Sequence, residues 1–200
     1  MADYKNYIIP QSYAIKRKDR ESSNDHKPKV IWFVGLSGSG KSTLANSLEN
    51  HLFKKGIKTY ILDGDNVRRG LNSDLDFSDL SRKENIRRIS EVSKLFVDAG
   101  TVVLTAFISP FKEDRASAKK VIGNEDFIEV HVDCPLEICE ERDVKGLYRK
   151  ARQGEIKHFT GIDSPFEIPE EPDVRIDTAN NSLEFCLEQL IKEVEPKISL

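Results

Sequence analysis

The stretch GLSGSGKS, residues 35–42, decides the fold, because it satisfies the pattern G-x-x-x-x-G-K-[ST] at every fixed position. A continuously apolar run, Val30–Val34, precedes it, and Leu44, Leu48 and Leu52 follow it at helical spacing. A glycine-rich turn between a buried strand and a helix points successive backbone N–H groups at one spot, where they bind phosphate oxygens. This stretch, the phosphate loop, therefore predicts a site for a polyphosphate.

The side chains of the phosphate loop indicate a nucleotide. Lys41 is long enough to reach β- and γ-phosphates, and the Ser42 hydroxyl can join the octahedral oxygen shell of Mg²⁺. The predicted nucleotide-binding residues of this segment are Gly35, Ser37, Gly38, Ser39, Gly40, Lys41, Ser42 and Thr43. A GTPase would also carry the base-reading motif N-K-x-D, which the sequence lacks. A D-x-x-G match at residues 143–146 follows a helix late in the chain, and we interpret it as accidental.

Outside the loop, short apolar runs alternate with helical patterns, as in βαβ units that build a parallel sheet. The predicted strands cover residues 30–34, 59–62, 101–107, 127–132 and 173–176. One predicted helix opens on a capping box of Ser81 and Glu84 and ends at Gly100. The fold class expected is α/β, a P-loop NTPase fold with a five-stranded parallel sheet of order 2-3-1-4-5 flanked by helices.

The chain divides into a polar arm and one domain. Residues 1–28 are charged without periodicity, and such runs rarely pack, so we interpret them as a flexible N-terminal arm. The alternative is a contact with a partner or subunit. Residues 29–200 form the predicted kinase domain, in which a segment rich in Gly, Pro and charge, about 145–170, is predicted to be a mobile lid.

Composition excludes several functions. Lys and Arg number 31 and Asp and Glu 34, a net charge of −3, so no bulk positive field would hold nucleic acid or an anionic membrane. No apolar stretch is long enough to span a bilayer, and the N-terminus lacks the apolar core of a signal peptide, so we expect a cytoplasmic protein. Three cysteines without a CxxC pair are typical of buried apolar positions rather than of disulfides or zinc ligands.

The stretch Asp63-Gly64-Asp65-Asn66, the acidic turn, follows the second predicted strand at the carboxyl edge of the sheet, where open α/β proteins bind ligands. One carboxylate could orient Mg²⁺ through water, and one could accept the proton of an attacking hydroxyl. The spacing is equally compatible with a simple Asx-type turn that has Gly64 at positive φ. Both interpretations stay open at this point.

A basic cluster follows the acidic turn. Arginine forks match phosphate and sulfate oxygens in pairs, so the cluster suggests an acceptor with its own anionic group. Arg68 and Arg82 flank the acidic turn and the start of the capped helix, which favours them as contacts. Arg87 and Arg88 are interpreted as solvated charges on a helix face.

The sequence resembles the adenylyl-sulfate kinases over about residues 30–195. The resemblance rests on GLSGSGKST at 35–43, DGDNVR at 63–68, RKENIRR at 82–88, FISP at 107–110, KGLY at 145–148 and FTGID at 159–163. It implies transfer of the γ-phosphate of ATP to the ribose 3′-hydroxyl of adenylyl sulfate, giving 3′-phosphoadenylyl sulfate and ADP for sulfate activation. ATP and Mg²⁺, adenylyl sulfate as small-molecule partner, a homodimer and a functional pairing with ATP sulfurylase are implied with it.

The resemblance also implies roles for individual positions. The catalytic residues expected are Lys41, Asp63, Asp65 and Ser109. The residues expected to bind the acceptor are Asp63, Gly64, Asp65, Asn66, Arg68, Phe77, Arg82, Asn85, Ile108, Ser109, Lys145, Leu147 and Phe159. Ser42 and Asp63 are expected at the metal, and the further residues expected at ATP are Arg149, Thr178 and Ala179.

Two aromatic rings, Phe77 and Phe159, match residues that sandwich the acceptor adenine in the family, although either would otherwise be interpreted as a core residue. Ser109 carries a family label as a phosphorylated intermediate. Because neither His nor Lys neighbours it in sequence to activate its hydroxyl, we expect substrate contact rather than a covalent role.

Departures from the family pattern are few: Asp76, Phe111, Val144 and Phe166. Asp76 stands where glycine is usual, and its charge would weaken sulfate binding unless it points to solvent. Two other functions are weighed. One is a kinase of another small acceptor, such as a nucleoside monophosphate or a sugar acid. The other is a nucleotide-binding regulatory module without catalysis, which the intact Lys41, Ser42 and acidic pair argue against.

Overall fold

The computed structural model describes Tyr7 and residues 9–200; the rest of the predicted arm, residues 1–6 and 8, lies outside this range. Its centre is one parallel sheet with strands β1 (Val30–Val34), β2 (Thr59–Asp63), β3 (Val102–Ala106), β4 (Phe127–Asp133) and β5 (Val174–Asp177). The strand order is β2-β3-β1-β4-β5. The predicted fold class and strand order are confirmed.

Helices cover both faces of the sheet. They are α1 (Arg17–Asn24), α2 (Lys41–Lys54), α3 (Gly64–Val67), α4 (Asp79–Asp98), α5 (Lys112–Ile122), α6 (Leu136–Arg142), α7 (Leu147–Arg152) and α8 (Leu183–Ile198). Ile31 and Phe33 of β1 face α2 and α8, whereas Trp32 faces α4 and α5. Every residue of β1 is fully buried, which explains its uninterrupted apolar run.

No helix in the described range combines the length and the apolar character needed to cross a membrane. Cys134, Cys139 and Cys186 are buried and carry free thiols.

The register of the sheet brings the ends of four strands to one edge. Phe33 of β1 pairs with Ala106 of β3, and Ala106 pairs in turn with Asp63 of β2. On the other side, Val34 of β1 pairs with His131 of β4. The segments that follow these strands therefore leave the sheet side by side, and they include the phosphate loop and the acidic turn.

The predicted start of α4 is wrong by one turn. The side chain of Ser78, not that of Ser81, caps the helix and accepts a hydrogen bond from the Ser81 backbone N–H at 3.4 Å. Both serines stand at the head of the same apolar pattern, and the sequence does not tell them apart. Glu84 instead accepts hydrogen bonds from Arg87 and Arg88.

Arg88, interpreted from the sequence as a solvated charge, holds the preceding turn in place. Its two terminal nitrogens donate to the Asp74 carboxylate at 2.7 and 2.8 Å, and one also donates to the Leu71 backbone oxygen at 3.1 Å. The turn between α3 and α4 is thereby tied to the helix that follows it. Arg87 contacts Glu84 on the exposed face, as a solvated helix charge does.

Helix α1 lies within the segment interpreted as a flexible arm. Arg17 donates to the two carboxylate oxygens of Asp126 at 2.5 and 2.7 Å, and Asn24 Nδ2 donates to the Gly100 backbone oxygen at 2.9 Å. The helix contains no apolar residue, so a search for hydrophobic periodicity does not predict it. The structure thus differs from the expectation that this charge run does not pack, while the arm's mobility and its boundary at residue 28 stay predictions.

The segment between α1 and β1 contacts the other end of the chain. The backbone N–H of Lys27 donates to the Ile198 backbone oxygen at 2.7 Å. His26 is buried, and its Nε2 accepts from the Lys58 backbone N–H at 3.2 Å. Burial lowers the pKa of His26.

Two glycines that follow helices provide a test of how α1 docks. Gly56 and Gly100 both adopt positive φ, at 81° and 84°, where any other residue costs about 1–2 kcal/mol. A Cβ at Gly56 would meet nothing within 4 Å, whereas one at Gly100 would lie 2.6 Å from Asn24 Nδ2 and 3.0 Å from Arg20 Cβ. We expect Gly100→Ala to reduce the free energy of unfolding in urea by about 1 kcal/mol more than Gly56→Ala, because the Asn24 hydrogen bond is lost. Equal losses would show that α1 does not dock here.

Candidate functional site

A cleft of about 670 Å³ opens at the carboxyl edge of the sheet. The predicted site residues that line it are Ser37, Gly38, Gly40, Lys41, Ser42, Thr43, Asp63, Gly64, Asp65, Arg68, Phe77, Arg82, Asn85, Ile108, Ser109, Lys145, Leu147 and Phe159. The structure therefore brings together groups that lie up to 122 positions apart in the chain, from Ser37 to Phe159. The predicted residues that do not line the cleft are Gly35, Ser39, Asn66, Arg149, Thr178 and Ala179.

The phosphate loop is pressed against β4 and α6. A Cβ at Gly35 would lie 2.7 Å from the Val132 backbone oxygen, and one at Gly38, where φ is +77°, would lie 3.1 Å from the Cys139 backbone oxygen. A larger residue at either position would displace backbone rather than a flexible side chain. These two contacts explain why the motif has glycine at both places.

Lys41 is held inside the loop, with a relative exposure of 8%. Its Nζ donates to the Leu36 backbone oxygen at 2.6 Å. Desolvation by burial lowers the pKa of Lys41 to about 8. The ammonium is therefore an incompletely compensated buried charge that an anion entering the loop would stabilise.

Asp63 connects the acidic turn to the phosphate loop. Its Oδ2 accepts from the Ser42 hydroxyl at 2.6 Å, and its Oδ1 accepts from the Asp65 backbone N–H at 3.0 Å. Asp63 thus caps α3 and reaches the loop at the same time. Gly64 does not adopt positive φ, because it begins α3, so the simple turn considered from the sequence is not the conformation observed.

Asp65 is exposed and pairs with the lid. Lys145 Nζ lies 2.5 Å from its Oδ2. Asn66, the last residue of the acidic turn, is exposed beside it on α3 and does not line the cleft. The contact between Asp65 and Lys145 is made across the cleft, so it holds the lid segment close to the acidic turn.

Arg68 forms one wall of the cleft together with Phe77. The guanidinium carbon lies 4.4 Å from the centre of the Phe77 ring, which is 61% exposed. Arg68 also donates to the backbone oxygens of Leu75 and Asp76 at 3.0 and 2.9 Å. Burial lowers the pKa of Arg68, and its charge remains available to an anion in the cleft.

The carboxylate of Asp76 forms hydrogen bonds with Ser78. It accepts from both the N–H and the hydroxyl of Ser78, at 3.0 and 2.6 Å, and these hydrogen bonds lower the pKa of Asp76 to about 2. The carboxylate therefore forms its hydrogen bonds with the residue that caps α4. It does not line the cleft.

Arg82 and Asn85 come from the first turns of α4. Arg82 donates to the Ser164 hydroxyl at 3.1 Å and to the His158 backbone oxygen, so it ties α4 to the lid. The Asn85 side-chain oxygen accepts from Nδ2 of the fully buried Asn72 at 2.8 Å. This leaves the Asn85 amide nitrogen as the group that can donate into the cleft.

Ser109 follows β3 in the left-handed region, with φ of +45° and a relative exposure of 2%. Its hydroxyl oxygen accepts from Trp32 Nε1 at 3.1 Å, and its backbone oxygen accepts from Arg115 Nη1 at 2.9 Å. Neither partner is a base, so neither activates the hydroxyl as a nucleophile.

The segment predicted to be a lid contacts the phosphate loop through a residue that was not among the predicted site residues, Tyr148. The carboxylate of Asp143 accepts from the backbone N–H groups of Tyr148 and Arg149, in the first turn of α7, at 3.0 and 3.1 Å. The Tyr148 hydroxyl donates to the Ser37 backbone oxygen at 2.9 Å, and the Tyr148 ring meets Phe159 edge-on at 5.0 Å. Asp143 belongs to the D-x-x-G match, which signals the start of α7 rather than a GTPase switch.

Arg142 is a further residue that the sequence did not predict, and it stands in no motif. It ends α6 and donates to the Thr178 backbone oxygen at 2.5 Å and, at 3.4 Å, to the Gly38 backbone oxygen. The Thr178 hydroxyl donates to the Ser39 backbone oxygen at 2.7 Å. Thr178 is therefore fixed behind the phosphate loop, next to the cleft but outside its lining.

Comparison with known proteins agrees with this geometry. A family model described as Adenylylsulphate kinase matches residues 27–177. An adenylyl-sulfate kinase of Clostridium acetobutylicum is 56% identical over 185 residues, which are 92% of each chain. One of Prochlorococcus marinus is 56% identical over 187 residues, which are 94% of this chain and 93% of that protein.

Among solved structures, the Mycobacterium tuberculosis APS kinase in complex with AMPPNP and APS is 51% identical, with a TM-score of 0.81, and the alignment covers 84% of this chain and 98% of that one. The extent of the family match and relatives more than half identical over nearly the whole chain show that this protein belongs to the adenylylsulphate kinase family.

Proposed function

We propose that this protein transfers the γ-phosphate of ATP to the ribose 3′-hydroxyl of adenylyl sulfate, giving 3′-phosphoadenylyl sulfate and ADP in sulfate activation. One observation carries the proposal: a single cleft holds a phosphate loop with a buried lysine on one side and arginines, an asparagine and two aromatic rings on the other. The 2.6 Å contact between Ser42 and Asp63 joins the two sides. The Clostridium acetobutylicum relative is named as a kinase of the same acceptor, and the Mycobacterium tuberculosis structure is described as a complex with AMPPNP and APS.

On the nucleotide side, the backbone of the phosphate loop and Thr43 bind the phosphates of ATP. An entering γ-phosphate competes with the Leu36 backbone oxygen for Lys41 Nζ, and a charge-assisted hydrogen bond favours the phosphate. Thr178 and Ala179 lie next to the loop and hold the adenine, while Arg149 on α7 reaches the phosphates when the lid closes.

The residues fit a magnesium ion. The Ser42 hydroxyl and the Asp63 carboxylate put two oxygen donors beside the loop, and oxygen is the ligand that Mg²⁺ prefers alongside phosphates and water. Bound there, Mg²⁺ would neutralise charge on the phosphates. Ser42 would hold it directly, and Asp63 through water.

The acidic turn prepares the acceptor. We assign Asp63 and Asp65 together to orienting the ribose hydroxyl and taking its proton, which needs a carboxylate within hydrogen-bond reach. Gly64 allows the ribose to approach the backbone, and Asn66 adds a polar group at the rim. Lys145 pairs with Asp65 before the acceptor binds and moves to the acceptor's anionic group when it arrives.

The other wall of the cleft selects adenylyl sulfate. Arg68, Arg82 and Asn85 offer donors to the phosphosulfate, and Phe77 and Phe159 stack on the two faces of the adenine. Ile108 and Leu147 supply apolar contacts. Ser109 contacts the acceptor without forming a covalent intermediate, because phosphoryl transfer in line needs positioning and charge neutralisation rather than a nucleophilic side chain.

The proposal extends to the setting of the reaction. The lid, about residues 145–170, closes over both nucleotides and excludes water.

The protein acts in the cytoplasm as a homodimer, without nucleic acid or membrane, and pairs functionally with ATP sulfurylase, which supplies the acceptor. Two exposed apolar side chains, Tyr60 on the edge strand β2 and Leu95 on α4, support self-association, and a monomer in analytical sedimentation would contradict it.

Acceptor preference tests the proposed reaction. ADP release from ATP would be compared with adenylyl sulfate, AMP and gluconate as acceptors. We expect kcat/KM for adenylyl sulfate to exceed that for AMP by about 10–100-fold, because AMP leaves an arginine unpaired at about 1.5–3 kcal/mol. Absence of this preference would contradict the proposal, and turnover of AMP or gluconate instead would identify a different small-molecule kinase.

Lys41→Ala tests the phosphate loop. The variant should lose at least ~2 kcal/mol of transition-state stabilisation, about 30-fold in kcat/KM, because one electrostatic donor is removed. Lys54→Ala, which removes an exposed lysine from the last turn of the same helix, serves as the control and should keep wild-type kinetics. Near-normal kcat/KM in Lys41→Ala would mean that the nucleotide binds elsewhere.

The low pKa of Lys41 predicts proton uptake on nucleotide binding. In the free protein the ammonium loses its proton as pH rises through about 8, and bound phosphates raise that pKa again. Between about pH 8 and 10, binding should therefore take up a proton and affinity should fall with pH. Calorimetry of an unreactive ATP analogue in two buffers of different ionisation enthalpy measures the uptake. Lys41→Arg, which stays protonated, should abolish it; unchanged uptake would assign the proton to another group.

A further inference from the structure

A buried ion pair lies beneath the acceptor side of the cleft. Arg115, in the first turn of α5, has a relative exposure of 5%, and its Nε lies 3.0 Å from Glu129 Oε1 on β4. The N–H is not directed at that oxygen, which has no hydrogen-bond partner, so the contact is an ion pair rather than a directed hydrogen bond. Burial lowers the pKa of Arg115 and raises that of Glu129. A buried ion pair often stabilises the folded protein no more than apolar side chains of similar volume would at the same positions.

Arg115 nevertheless makes one directed contact, to the backbone of Ser109. Its Nη1 donates to the Ser109 oxygen at 2.9 Å. Ser109 is one of three described non-glycine residues at positive φ, and unlike the other two, Asp25 and His158, it is buried. A serine stays in this conformation only when its surroundings hold it there.

Trp32 holds the other end of Ser109. Its Nε1 donates to the serine hydroxyl oxygen at 3.1 Å, so the hydroxyl hydrogen is free to point elsewhere. Trp32 lies on β1, the strand that leads into the phosphate loop, whereas Ser109 lines the cleft. The two donors together fix both the backbone and the hydroxyl of Ser109.

We propose that Arg115, with Glu129 as its counter-ion, is a positioning residue that holds Ser109 and the neighbouring Ile108 in the conformation that contacts the acceptor nucleotide. Arg115 does not line the cleft, so it acts through Ser109. This inference rests on the proposed function. It predicts a larger effect on the acceptor than on ATP. Ser109 lines the cleft, whereas the phosphate loop packs against β4 and α6 and meets the Ser109 segment through a 3.4 Å hydrogen bond from the Gly35 N–H to the Ile108 oxygen.

Steady-state kinetics with each substrate varied in turn provide the first test. We expect Arg115→Met to raise KM for adenylyl sulfate by about 10-fold or more and KM for ATP by less than about twofold, since a hydrogen bond to a charged donor is lost only on the acceptor side. Arg115→Lys keeps one donor and should restore part of the acceptor KM. Lys120→Met, which removes an exposed cation from the same helix, is the matched control and should change neither KM.

Trp32 is the one tryptophan of the chain, and its emission provides a second readout that does not depend on activity. We expect Arg115→Met to shift the emission of the folded, ligand-free protein, because the partner of the indole N–H moves. Adenylyl sulfate should change the emission of the wild type more than that of the variant. Should Arg115→Met fail to fold, Arg115→Lys and Glu129→Gln answer the same questions with smaller changes in volume.

Equal rises in both KM values, or unchanged kinetics and unchanged emission in a folded variant, would overturn the assignment. Absence of turnover in the wild type would overturn the proposed function instead, and the emission of ligand-free protein would still report whether Arg115 holds Ser109.

Discussion

The hydrogen bond between the Ser42 hydroxyl and the Asp63 carboxylate is the contact on which the cleft depends. It joins two segments, the phosphate loop and the acidic turn, which leave β1 and β2 with β3 between them. The sheet register determines their separation, since Phe33 and Asp63 both pair with Ala106. A donor of phosphate and a sugar hydroxyl can meet in this cleft because rigid strands, not flexible loops, set the distance between the two binding segments.

Most of the fold could be predicted from the sequence, because β1 is apolar throughout, β3 and β4 are rich in Val, Ile and Leu, and the phosphate loop has a local pattern. The contacts that the sequence did not predict join residues far apart in the chain. Arg142 reaches Thr178 and Arg17 reaches Asp126, and neither arginine stands in a recognisable pattern. Helix α1 was missed for a related reason, since polar pairs rather than an apolar face hold it. The start of α4 was misplaced because two serines fit the same local rule.

Charge in the cleft is arranged so that each group has a protein partner before a ligand arrives. Lys41 donates to a backbone oxygen, Lys145 pairs with Asp65, and Arg82 donates to the lid. None of these partners is a phosphate or a sulfate, so a doubly charged ligand can replace each of them favourably. An acidic protein thereby presents a local cationic site without a cationic surface. The proposed exchange would couple ligand binding to the position of the segment predicted to be a lid, because Lys145 and the partners of Arg82 belong to that segment.

The hydrogen bond from the Lys27 backbone N–H to the Ile198 backbone oxygen joins the last turn of α8 to the residues that lead into β1. Ile198 is almost completely buried in the core that also contains Ile31 and Phe33. Fraying of the carboxyl-terminal helix would therefore remove support from the strand that carries the phosphate loop. We therefore expect the last turn of α8 to unfold together with β1 and the phosphate loop, although it does not line the cleft.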